Sequence, residues 1–153
     1  MITSLDDKKR LLEACLAPVR ERIARISESL ELAREASLQE TKSSAGDKYE
    51  TGREMMRIES DMQALHLYEA QDLLQRLERI DVGAVHDAVR AGSVVRTSHG
   101  LYFVAQSLGA VVLDGVEYQT LSLASPLGKV LKGLRTGQST VFREEPLGIL
   151  AVL

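Results

Sequence analysis

The chain has 153 residues, and its 44% hydrophobic content is enough for a folded core and excludes a wholly disordered tail. With 19 basic against 22 acidic residues the formal charge is −3, which argues against gripping a polyphosphate unaided, so independent DNA binding is not expected. A lone cysteine, Cys15, excludes an internal disulfide and a cysteine-built metal site; with no apolar run of membrane-span length and no signal peptide evident, a cytoplasmic protein without membrane contact is expected.

The chain changes character near residue 80. Residues 1–80 hold 13 of the 19 basic and 16 of the 22 acidic side chains, whereas residues 81–153 hold 9 of the 11 glycines. Two units of different class explain this better than one mixed core.

In the first half, Ser4 is placed to cap a helix whose first turn carries Asp6 and Asp7. Leu12, Leu16, Val19, Ile23, Ile26, Leu30 and Ala33 then recur at alternating steps of 4 and 3, the seam of a coiled coil. Pro18 cannot donate to the carbonyl of Ala14, so the pattern predicts a kink there. A second helix is predicted from Thr51 or Arg53 to about Ile80, with Met55, Ile58, Met62, Leu65, Leu73, Leu77 and Ile80 as its seam. Glu69 falls where that repeat wants an apolar residue. Two such helices fold back antiparallel within a monomer, the alternative being an intermolecular coiled coil.

The polar stretch 39–52 forms the tip of the hairpin. It carries Asp47 and Glu50 three residues apart, which on one helical turn aims both carboxylates the same way. The same spacing also suits a capping box, with Asp47 the cap of the second helix. Both readings stand at this point.

Residues 81–91 read as a linker with a short helix that Asp81 would cap. Residues 92–153 read as a β-rich domain, with strands expected at 93–97, 101–105, 109–113, 116–123, 138–143 and 147–153. Asp114-Gly115 is a hairpin-forming pair, and a short helix is predicted over 129–134 after the turn at 124–128. No phosphate loop, catalytic triad or metal-ligand spacing emerges: Gly128-Lys129 lacks the upstream glycines, and His99 beside Gly100 is a turn residue. Lys129, Lys132 and Arg135 make a modest basic edge on the short helix.

The segment 121–142 resembles the Gre-factor (GreA/GreB) family of bacterial transcription factors. The residues that carry the resemblance are Leu121, Ser122, Ser125, Pro126, Leu127, Gly128, Leu131, Gly133 and Gly137. Gly46-Asp47-Lys48-Tyr49-Glu50 is similar to the acidic tip of that family, and the order of parts, long hairpin first and compact β-domain second, agrees as well. The resemblance implies an α+β fold, an antiparallel coiled-coil hairpin over 1–80 followed by an FKBP-like domain over 92–153. It further implies docking on RNA polymerase through Ser125, Pro126, Leu127, Gly128, Lys129 and Lys132, with the hairpin in the secondary channel and only indirect contact with nascent RNA. By the same resemblance Asp47 and Glu50 would help hold a Mg²⁺ shared with the polymerase, none being bound tightly in isolation, and would stimulate cleavage of backtracked RNA as an accessory rather than as an enzyme.

The chain departs from the family at several positions. Thr51-Gly52-Arg53 follows Glu50 where cleavage factors continue with Asn and then an acid-Tyr pair, and Leu134 and Gln138 replace the usual Lys and Asp. A channel-binding regulator or inhibitor that does not cut, and a coiled-coil adaptor whose acids serve only as caps, are the alternative readings.

Overall fold

The computed structural model describes residues 2–42 and 48–153. Two long helices, α1 (Leu5–Lys42) and α2 (Lys48–Glu78), precede six strands and one short helix. The strands are β1 (Val94–Thr97), β2 (Gly100–Val104), β3 (Ala110–Leu113), β4 (Val116–Leu121), β5 (Ser139–Phe142) and β6 (Glu145–Val152), with α3 (Pro126–Leu131) between β4 and β5. This is the expected α+β architecture, paired helices followed by a β-sheet domain. The chain divides into two compact units: Pro18–Leu74, and Met1–Ala17 together with Gln75–Leu153.

The start of α1 is fixed by reciprocal bonds. Asp7 N–H donates to Ser4 Oγ at 3.2 Å, Ser4 Oγ donates to the Asp7 carboxylate at 2.9 Å, and that carboxylate also accepts from Thr3 N–H. These bonds hold the Asp7 carboxyl below its ordinary range. The helix runs without interruption through Pro18.

In the helical unit, Val19, Ile23, Ile26, Leu30 and Ala33 of α1 are buried or half-buried, as the repeat predicts. The first part of the α2 seam is not the predicted one: Met56, Ser60, Gln63, Leu67, Ala70 and Leu74 lose solvent contact, again at steps of 4 and 3, whereas Met55, Ile58, Met62 and Leu65 are exposed. Farther along, Leu73, Leu77 and Ile80 are buried or half-buried as the repeat predicts. Glu69 gives the physical reason: burying the bulkier stripe would bury its carboxylate as well. The cost of the choice is a thin seam. Ala33, Ser37, Met56 and Ser60 line a cleft of about 740 Å³ between the two helices, with Arg34, Arg53 and Arg57 among its walls.

In the second unit the strand order is β3-β4-β2-β1-β6-β5, with β2 parallel to β4 and every other pair antiparallel. Asp114 and Gly115 take positive φ at 51° and 78°, which closes the β3–β4 hairpin as the Asp-Gly pair predicts. Val89, Val95, Val104, Leu121, Leu131, Leu147 and Ile149 form the core beneath α3. The first turns of α1 join this unit: Leu11 and Cys15 are fully buried, Ile2 N–H donates to Tyr118 Oη at 2.9 Å, and Arg10 makes paired bonds to Asp114 at 2.8 and 2.7 Å. Burial pushes the Cys15 thiol up to about 11.

Two further expectations need correction. Residues 81–91 contain no helix, because the Asp81 carboxylate accepts from Gly83 N–H at 2.8 Å and turns the chain instead of capping one. The short helix covers Pro126–Leu131 rather than 129–134, since Ser125 caps it and Pro126 suits its first position.

Candidate functional site

The family-like segment 121–142 is built as a locked turn and helix. Ser125, at φ −69° and ψ 159°, accepts from Gly128 N–H at 3.1 Å and donates its hydroxyl to Ser122 O at 2.6 Å. Gly128 is buried, and a methyl group there would stand 2.0 Å from Ser122 O and 2.7 Å from Leu123 Cα. Only glycine lets this turn lie against the backbone. Leu131, the last residue of α3, is fully buried in the core, and Gly133 at φ 81° follows the end of the element.

The predicted partner-binding residues therefore divide by what they do in this fold. Ser125 and Gly128 hold the turn, Leu127 packs partly into the core, and Pro126, Lys129 and Lys132 are exposed. Arg135 is exposed beside them, and its N–H donates to Gln138 Oε1 at 2.7 Å. The carboxamide of Gln138 thus performs a turn-closing role that an Asp carboxylate can also fill, so this departure leaves the local structure intact.

Of the two tip acids, Glu50 lies in the first turn of α2 and is exposed. Asp47 lies outside the described residues, so the structure does not decide between cap and ligand. An exposed Glu in a first turn is one hard oxygen donor, and Mg²⁺ needs six. Among the described residues no group of three or more His, Cys, Asp or Glu converges on a metal position. Any ion at this tip would take most of its ligands from elsewhere.

A buried polar group in the β-sheet unit escapes a reading by motif. Lys8 has no exposed surface and its Nζ donates to Ala84 O at 2.8 Å, while His86 Nδ1 and Ser93 Oγ share a 2.8 Å hydrogen bond. Ser93 Oγ also accepts from Arg90 N–H, and His86 Nε2 has no partner. Burial, helped by the positive charges of Lys8 and Arg90, pushes the His86 imidazole below its ordinary value of 6.5. The Ser93 hydroxyl, the His86 ring and Lys8 are all buried away from solvent, and no acid orients the ring from Nε2, so the set reads as a structural connection of α1 to the 81–93 segment. Lys8 and Ala84 stand 76 positions apart, and no local pattern could announce their contact.

No helix among the described residues is long and apolar enough to cross a membrane. No family model matches the chain, and no curated protein matches it. Solved structures do. A structure of the transcription factor Gfh1 is 25% identical with a TM-score of 0.37, covering 90% of this chain and 92% of its own. The crystal structure of GreA factor homolog 1 (Gfh1) of Thermus thermophilus is 23% identical with a TM-score of 0.34, over 90% and 94%.

Proposed function

We propose that this chain is a Gre-like transcription factor that binds RNA polymerase at its secondary channel and modulates elongation without cutting RNA. The observation that carries the reading is that one chain combines a long helical hairpin, with Asp47 and Glu50 in the tip sequence, and the family-like 121–142 segment folded as a capped, glycine-locked turn. Lys129, Lys132 and Arg135 supply the exposed cations of the docking edge, while the hairpin supplies the probe. The departures at Thr51, Gly52 and Arg53 favour occupancy of the channel over cleavage.

The second reading, stimulation of transcript cleavage, is favoured by the Asp-x-x-Glu spacing itself. Mg²⁺ bound at the polymerase centre would supply charge neutralisation for phosphodiester hydrolysis, and the contribution of this chain would be two carboxylate oxygens. An assay of RNA cleavage in a stalled, backtracked elongation complex, run on the cognate polymerase, separates the readings. The expected result is no added cleavage but displacement of a cleavage-competent channel factor, with Lys129→Glu/Lys132→Glu losing that competition. Cleavage that requires intact Asp47 and Glu50 would establish the second reading, and loss of it in Asp47→Asn with binding retained would mark the acids as acting on the transition state. Neither cleavage nor competition would leave an adaptor.

A further inference from the structure

The face of α2 that turns away from the hairpin seam is apolar. Met55, Ile58, Met62, Leu65 and Tyr68 are each more than half exposed, and all lie in the helical unit. At 100° per residue the first four fall within about a quarter turn of one another, opposite Met56, Ser60, Gln63 and Leu67, with Tyr68 at the margin. Together they present an apolar patch on the order of 500 Å², the size of the largest patch on an ordinary monomer, which is often functional.

Charge decides what covers it. Glu54 and Asp61 run along one edge of the stripe, Glu59 along the other, and Glu69 stands within its line. The arginines of the same stretch, Arg53 and Arg57, turn to the other side of the helix and line the inner cleft. A second copy brought face to face would set carboxylates against carboxylates, and its patch-to-patch burial falls short of the usual 1,200–2,000 Å². The same carboxylates repel an anionic bilayer and a nucleic acid. What fits is a protein groove with an apolar floor and Lys or Arg on both rims.

We infer that the outward stripe Met55–Tyr68 of α2 is a docking face for such a basic-rimmed groove on RNA polymerase, distinct from the tip acids and from the basic edge at Lys129 and Lys132. This rests on the polymerase reading, which names the occupant. The groove buries Ile58, Met62 and Leu65 as anchors, and its rims pair with Glu54, Glu59 and Asp61.

Binding of the full-length chain to purified core polymerase, titrated by fluorescence at two salt concentrations, tests it. Met62→Glu/Leu65→Glu is expected to weaken binding at least tenfold. Glu59→Lys/Asp61→Lys, which leaves the apolar residues in place, is expected to weaken it comparably and to reduce its dependence on salt. All four positions are exposed, and far-UV circular dichroism checks that both variants stay helical. Wild-type binding that neither variant alters would overturn the inference and leave the polymerase reading standing. No wild-type binding at all would overturn both. Sedimentation showing a wild-type dimer that Met62→Glu/Leu65→Glu converts to monomer would give the face to a second copy instead.

Discussion

A methyl group on Gly128 would meet the carbonyl oxygen of Ser122 at 2.0 Å and the backbone of Leu123 at 2.7 Å, atoms that cannot swing aside as a side-chain end can. Gly128→Ala is therefore expected to cost about 1–3 kcal/mol, the range for forced overpacking, read as a lower urea midpoint at unchanged slope. Ser125→Ala removes both the cap on Gly128 N–H and the bond to Ser122 O, and is expected to cost about 1–2 kcal/mol by the same measurement. His86 carries a pH dependence of its own. Its folded value lies below 6.5, so between the two values the unfolded chain binds a proton that the folded chain refuses. Stability then rises with pH across that window and is lost on acidification below about 6.5. Urea melts at pH 7.5 and 5.5 should show the loss, and His86→Gln should flatten it. Asp7 and Asp114, held below their ordinary value of 3.8, begin to lose their contribution only as pH falls below that figure.

Among the elements, α1 was legible because it carries a single apolar stripe, and the spacing from Leu16 to Ala33 admits only one buried face. The second helix carries two stripes on opposite faces, and the bulkier one is the more visible in a list of residues. The buried one includes Ser60 and Gln63, which no hydrophobic pattern selects, and it wins because it keeps Glu69 in water. The strands were legible to within two residues at most ends, and Asp114-Gly115 gave its turn outright. The short helix was displaced because Gly128 read as a turn residue, whereas it stands inside α3 for its lack of a side chain. Of the site residues, Lys129 and Lys132 were readable as an exposed edge, and the structural duty of Ser125 was not. If Ser60 and Gln63 thin the seam, Ser60→Leu and Gln63→Leu should each stabilise the hairpin by about 1 kcal/mol, a partial burial of one side chain. Thermal melts followed by circular dichroism at 222 nm measure this; a lowered midpoint would show that the two polar residues hold the helices together.

At the scale of the whole chain, the change of composition near residue 80 announced two classes of structure, but not that the first turns of α1 belong with the sheet. That membership depends on pairs such as Ile2 with Tyr118 and Arg10 with Asp114, separated by 116 and 104 positions, which only the folded chain brings together. A fragment holding residues 81–153 alone loses Ile2, Lys8, Leu11 and Cys15 from its interior. It is expected to show weaker amide-exchange protection in β1 and β4 than the intact protein, and equal protection would show the sheet to be self-sufficient. The net charge of −3 makes a second claim at this scale. Titration into a labelled single-stranded RNA or duplex DNA at physiological salt should give no saturable anisotropy change, so any effect on transcripts must come through a protein partner.

Cys15 offers a practical handle on these tests. Its thiol is fully buried and, pushed up to about 11, stays protonated at neutral pH, so it is shielded from maleimide and iodoacetamide reagents. A cysteine introduced at exposed Gly52, where a side chain meets nothing within 4 Å, becomes in effect the sole reactive thiol of the chain. A dye or cross-linker can then be attached near the tip with the native cysteine left in place, and the depth to which that tip travels in a partner becomes a distance that can be measured.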